Sequence, residues 1–177
     1  MSDDRLATLE ECQLKYIQAM IEADDPSSNL LRTFADNWFA FKSRGPFLTR
    51  GGRPRWWNKP SLVSHGAMLR RMHSGSKAAV NVVRGTSNEP LAVDHAVPLW
   101  AIRAALRNAA PQSTGEVRDI LGQHYFLVVV THGQHAAITR ADCARRRADH
   151  RGALDWRAFY DSAGIELVRG DWASEFD

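Results

Sequence analysis

Apolar residues at near-helical spacing open the chain. Leu6, Leu9, Leu14, Ile17 and Ile21 recur with Glu10, Glu11 and Lys15 between them, which predicts an amphipathic helix over residues 4–23. Asp24-Asp25-Pro26-Ser27-Ser28 breaks the period and supplies capping side chains. A second helix then follows over 28–42, with Leu30, Leu31, Phe34, Trp38 and Phe41 on one stripe. The two read as a helical hairpin whose aromatic stripe belongs to the core. Periodicity disappears over 43–60, where Gly, Pro and Arg dominate, and returns over 61–73 through Leu62, Met68, Leu69 and Met72. Two short apolar runs, 78–84 and 91–95, flank the turn residues Gly85-Thr86-Ser87-Asn88 and read as a strand hairpin. Helices follow over 98–109 and 114–122, the second opened by Ser113 or Thr114 with Glu116. Tyr125-Phe126-Leu127-Val128-Val129-Val130 reads as a strand and leads into a helix from about Thr131 to Arg147. The tail carries Trp156, Phe159 and Tyr160, then Ala163-Gly164-Ile165. The expected fold class is α+β, a mostly helical single domain. Its expected divisions are an N-terminal helical arm over 1–42, a basic segment over 43–77 and a core with its tail over 78–177.

A chain of 177 residues with 44% hydrophobic and 24% charged side chains suits one sizeable core. No apolar run nears the ~20 residues of a membrane span. Met1-Ser2-Asp3-Asp4 lacks the basic and apolar parts of a signal peptide. Cys12 and Cys143 lie far apart and form no CxxC pair, which suits a reducing compartment. A cytoplasmic protein without membrane attachment is the expectation.

Charge is unevenly spread. Net charge is −5 over residues 1–25, +9 over 26–77, +3 over 78–151 and −4 over 152–177. A basic centre between acidic ends is the pattern of a localised polyanion site. Within it, Arg50, Arg53, Arg55, Trp57 and Lys59 are candidate nucleic-acid contacts. Guanidinium groups pair with phosphate, and an indole stacks on a base. The plainer alternative is a solvated charged face with the tryptophans in the core.

Two segments carry candidate chemistry. Val93-Asp94-His95-Ala96-Val97-Pro98-Leu99 sets an acid and a histidine at a strand end. Strand alternation would part them, and a turn at that point would lift the restriction. Thr131-His132-Gly133-Gln134-His135-Ala136-Ala137-Ile138 follows the later apolar strand. Thr131 with Gln134 fits a capping box, and Thr139 with Asp142 is a competing start. A helix opening at Thr131 places His132 and His135 three apart on one face. For each histidine the plainer alternative is a hydrogen-bonded residue at the edge of the core.

Together these segments resemble the HNH, or ββα-metal, endonucleases. In such proteins a first strand reads Asp/Glu-His-x-Val-Pro-Leu, and a second leads into a helix opening Thr-x-x-Glu-His-x-x-Leu. The likeness spans roughly residues 80–167, including the aromatic-x-x-Ala-Gly-Ile tail at 160–165. Here Gln134 stands for Glu, Ile138 for Leu, and about thirty residues replace the usual short hairpin turn. The resemblance implies a small ββα-metal site and hydrolysis of phosphodiester bonds, in DNA rather than RNA. It implies that Asp94 and His135 hold one divalent cation (magnesium, manganese, nickel or zinc) and that His95 is the general base. His132 is then a further ligand or phosphate contact, and Arg84 or Arg55 a clamp on the phosphate. Two other readings fit the same residues. One is a non-catalytic nucleic-acid-binding module. The other is a degenerate nuclease-like subunit that docks a protein partner through its N-terminal helices.

Overall fold

The computed structural model describes residues 2–25, 27–44, 47–49, 52–54, 66–147, 155–172 and 174. They form an α+β, mostly helical chain that divides into two compact units. In place of the expected single domain there are two compact units, and they interleave along the chain. One takes residues 1–56 and 97–125, the other 57–96 and 126–177.

In the first unit, α1 (Asp3–Glu22) buries Leu6, Leu14, Ile17 and Met20. It stops where Asp24 turns left-handed at φ 51°, with its N–H and that of Asp25 donating to the carbonyls of Ile21 and Met20. Ser27 accepts from the N–H of Leu30 and starts α2 (Ser28–Ser43). Of the expected stripe on α2, Leu31, Trp38 and Phe41 are core, Phe34 is half-buried and Leu30 is exposed; Trp38 and its neighbour Phe39 pack on Tyr125 with ring centroids 5.9 and 5.6 Å apart. Helices α5 (Leu99–Ala109) and α6 (Thr114–His124) complete the unit, burying Leu99, Ile102, Leu106, Val117 and Leu121. Ser113 caps α6 by accepting from the N–H of Glu116, as its position predicts.

The second unit holds α3 (Gly66–Leu69), β1 (Ser74–Gly75), α4 (Lys77–Val83), β2 (Leu91–His95), β3 (Leu127–Thr131), α7 (His132–Arg147) and α8 (Trp156–Ser162). The strands lie in the order β1-β3-β2, with β1 parallel and β2 antiparallel to β3. Ala92, Ala96, Val128 and Val130 build a core with Ile138 of α7, Tyr160 of α8, Ile165 and Leu167.

The segment over 78–84 is a helix, not the expected strand, and β2 pairs with β3 instead. Its ends explain the difference. Ser76 Oγ accepts from the N–H of Ala79 at 3.1 Å. Gly85, at φ 74°, donates to the carbonyl of Val82, and Thr86 to that of Asn81. A cap at one end and a left-handed glycine turn at the other fix one helical stretch between them. Three valines with high strand propensity yield to that context. No described helix is long and apolar enough to cross a membrane.

Candidate functional site

The junction of β3 and α7 forms the capping box that its sequence predicts. The N–H of Gln134 donates to Thr131 Oγ1 at 3.3 Å, and Gln134 Oε1 accepts from the N–H of Thr131 at 3.1 Å. That oxygen also accepts from Ser76 Oγ at 2.6 Å. Gln134 therefore ties the start of α7 to the cap of α4. Its position in the motif serves the fold, and Ser76, its partner, has no mark in the sequence pattern.

With the helix start fixed, His135 and Ile138 share one face of α7, three residues apart. Ile138 is buried in the core, so this face lies on the sheet. On the sheet, Ala92 and Asp94 of β2 oppose Val130 and Val128 of β3. Ala92, Val128 and Val130 all belong to the core that α7 covers. Asp94 thus rises on the same face, beside His135. The Asp94 Oδ1 and His135 Nε2 atoms stand 3.6 Å apart, with side-chain exposures of 12% and 41%. The second carboxylate oxygen, Oδ2, accepts a short hydrogen bond from the Tyr160 hydroxyl. Tyr160 is fully buried, and burial, then the Asp94 charge, then this bond push its ionisation far above the ordinary tyrosine value. In this bond the hydroxyl is the donor and the carboxylate the acceptor.

A separation of 3.6 Å is too long for a hydrogen bond. It suits two donors of one small cation: bonds of about 2.0–2.2 Å at tetrahedral angles hold their donors roughly 3.4 Å apart. Imidazole nitrogen and carboxylate oxygen are both ordinary ligands for such ions. Among the described residues no group of three or more His, Cys, Asp and Glu side chains converges on one point. Asp94 and His135 are thus the pair of described residues that could hold an ion here.

The structure separates His95 from this pair. The β2–β3 ladder runs unbroken to His95, which opposes Leu127. Alternation then directs its side chain to the face opposite Asp94, the side of Val93 and Val129. The turn expected between the two residues begins one residue later, at Ala96. His132 is exposed at the start of α7, where its N–H donates to the carbonyl of Pro90. Arg84 is exposed at the C-cap of α4. Arg53 is exposed in the first unit, its N–H donating to Thr49 Oγ1. Arg50, Arg55, Trp57 and Lys59 lie outside the described residues. Tyr160 is the member of the site that residue patterns alone did not assign, though it stands in the aromatic-x-x-Ala-Gly-Ile tail. No protein-family model, curated protein or solved structure matches the chain.

Proposed function

We propose that the second unit is the hydrolytic centre of a metal-dependent nucleic-acid endonuclease, acting on DNA before RNA. The observation that supports it is the placement of Asp94 Oδ1 and His135 Nε2 at 3.6 Å. One comes from the end of a strand, the other from the first turn of the helix that follows its antiparallel partner. A divalent cation there would supply charge for a phosphoryl oxygen and a bound water acidified toward neutrality. Asp94 and His135 hold and orient that ion. His132, one turn earlier on the same face, is offered to solvent where a phosphate would approach. The +9 segment over 26–77 favours a polyanionic substrate.

Plasmid nicking by metal-stripped protein tests the reading, with magnesium, manganese, nickel and zinc added back one at a time. Cleavage is expected with at least one ion, and its loss by 10²-fold or more in Asp94→Asn and in His135→Ala. His95→Ala is expected to keep cleavage, because the ladder carries that side chain to the other face. Salt-sensitive plasmid binding without cleavage under any ion would make the protein a binding module instead.

A further inference from the structure

We propose that Tyr160 is a positioning residue that makes Asp94 a one-oxygen ligand; this rests on the metal reading above. The tail motif Tyr160-x-x-Ala163-Gly164-Ile165 has a physical meaning in the fold. Gly164 turns left-handed at φ 70°, its N–H donating to the carbonyl of Asp161, while the N–H of Ile165 donates to that of Tyr160 at 2.9 Å. This is the turn that closes a helix and brings the residue after the glycine back onto the one five positions earlier. Tyr160 and Ile165 are therefore locked together in the core. Asp155 fixes the other end of α8 by accepting from the N–H groups of Arg157 and Ala158. Trp156 and Phe159 stand edge-on to the tyrosine ring, at 6.1 and 6.2 Å.

A ring held at both ends and on both sides aims its hydroxyl at one point, and that point is Asp94 Oδ2. The bond leaves Oδ1 toward His135. With Oδ2 engaged, Asp94 offers an ion a single oxygen. Such a ligand suits small ions with few ligands, such as cobalt or zinc, and disfavours calcium, which readily takes both oxygens of a carboxylate. Hydrogen bonds behind a metal ligand are worth about 10–100-fold in affinity.

The test is ion binding by metal-stripped full-length protein. Cobalt is followed by calorimetry and by its visible absorption, with calcium as the competitor. Tyr160→Phe keeps the ring and removes only the hydroxyl. We expect its cobalt Kd to rise about tenfold or more, and its preference for cobalt over calcium to narrow. A purely structural hydroxyl would leave that preference unmoved. Should the variant fail to fold, wild-type protein with carbon-13 at the tyrosine ring carbons is titrated with zinc. The Tyr160 Cζ resonance is expected to shift in step with binding. Unchanged affinity and preference in the variant, or an unmoved Tyr160 resonance, would overturn the positioning role and leave the metal site standing. Wild-type protein that binds no ion at all would overturn both.

Discussion

Two buried tyrosines each donate to an aspartate, and their settings decide what each bond does. Tyr125 donates to Asp36 at 2.5 Å in the first unit, where Asp36 is 3% exposed and the Tyr125 ring packs on Trp38 and Phe39. Tyr160 donates to Asp94, whose other oxygen reaches a half-exposed histidine. The first bond therefore lies wholly in a core, and the second belongs to the candidate site. Burial, then the charge of Asp36, then the bond to it raise the Tyr125 ionisation above its ordinary value of 10. Below pH 10 both folded and unfolded chains keep this proton, so its contribution to stability is complete and flat. Above pH 10 the unfolded chain loses the proton and the folded chain holds it. Stability is then lost at up to about 1.4 kcal/mol per pH unit from this group. Tyr125→Phe is expected to cost roughly 1–3 kcal/mol at pH 7, by leaving a buried carboxylate short of a donor. It should also remove this group's share of the alkaline slope. Urea unfolding of both proteins between pH 8 and 11.5 measures the two effects together. Parallel alkaline slopes would show that Tyr125 ionises as freely folded as unfolded.

At the scale of elements, helix ends were more legible than helix interiors. Thr131 with Gln134 and Ser113 with Glu116 predicted starts that the structure forms with the expected hydrogen bonds. Ser76 and Gly85 close the helix over 77–83 in the same way, but three valines followed by Gly85-Thr86-Ser87-Asn88 read as a strand and its hairpin turn. Local hydrogen bonds at both ends outweighed a preference worth about 1 kcal/mol across its whole scale. The Asp94–His135 pair was half legible. The likeness to ββα-metal proteins singles out both residues, whereas the face of His95 depends on where the ladder ends, which no local pattern states. Two glycines show how differently one residue type is used. Gly164 sits at φ 70° with open space where a Cβ would go, so Gly164→Ala pays only for the left-handed backbone, about 1–2 kcal/mol. Gly75 has ordinary backbone, but a Cβ there would collide with the ring of Trp172. That indole is buried and donates to the carbonyl of Leu69 at 2.9 Å, so it has little room to yield. Gly75→Ala is expected to cost more than Gly164→Ala, about 3 kcal/mol or above, as overpacking of a filled core does. Denaturant midpoints of the two variants give the comparison directly, and a reversed order would mean that Trp172 moves freely.

At the scale of the whole molecule, sequence order misleads. The N-terminal helices read as an arm, and the residues between β2 and β3 as an oversized turn. The structure makes these two segments one unit. α1 packs on α2 and α6, and α2 on α5. Arg118 meets Glu10 and Glu11, and Arg107 meets Asp24 at 2.8 Å. Part of the acidic character of residues 1–25 is thus matched inside the unit. Exposed ion pairs of this kind are worth at most about 1 kcal/mol each. The buried leucines, Ile17, Ile102 and Trp38 must hold the unit together instead. Pairings across a hundred residues leave no local trace, which is why the linear reading missed them. The second unit is scarcely interrupted by the excursion. The N–H of Ala96 donates to the carbonyl of Phe126 at 2.9 Å, so residues 97–125 leave and return across one rung of the ladder. Every contact described around Asp94, His135, Tyr160, Gln134 and Ser76 lies within that unit. A chain of residues 57–177, with a four-residue glycine-asparagine turn in place of 97–125, should therefore close β2 and β3 as an ordinary hairpin. We expect it to fold and to bind cobalt with the affinity of the full chain, read by circular dichroism and cobalt titration. If it folds but loses the ion, the site draws on residues of the first unit. If it does not fold, the helices of the first unit are part of what stabilises the sheet.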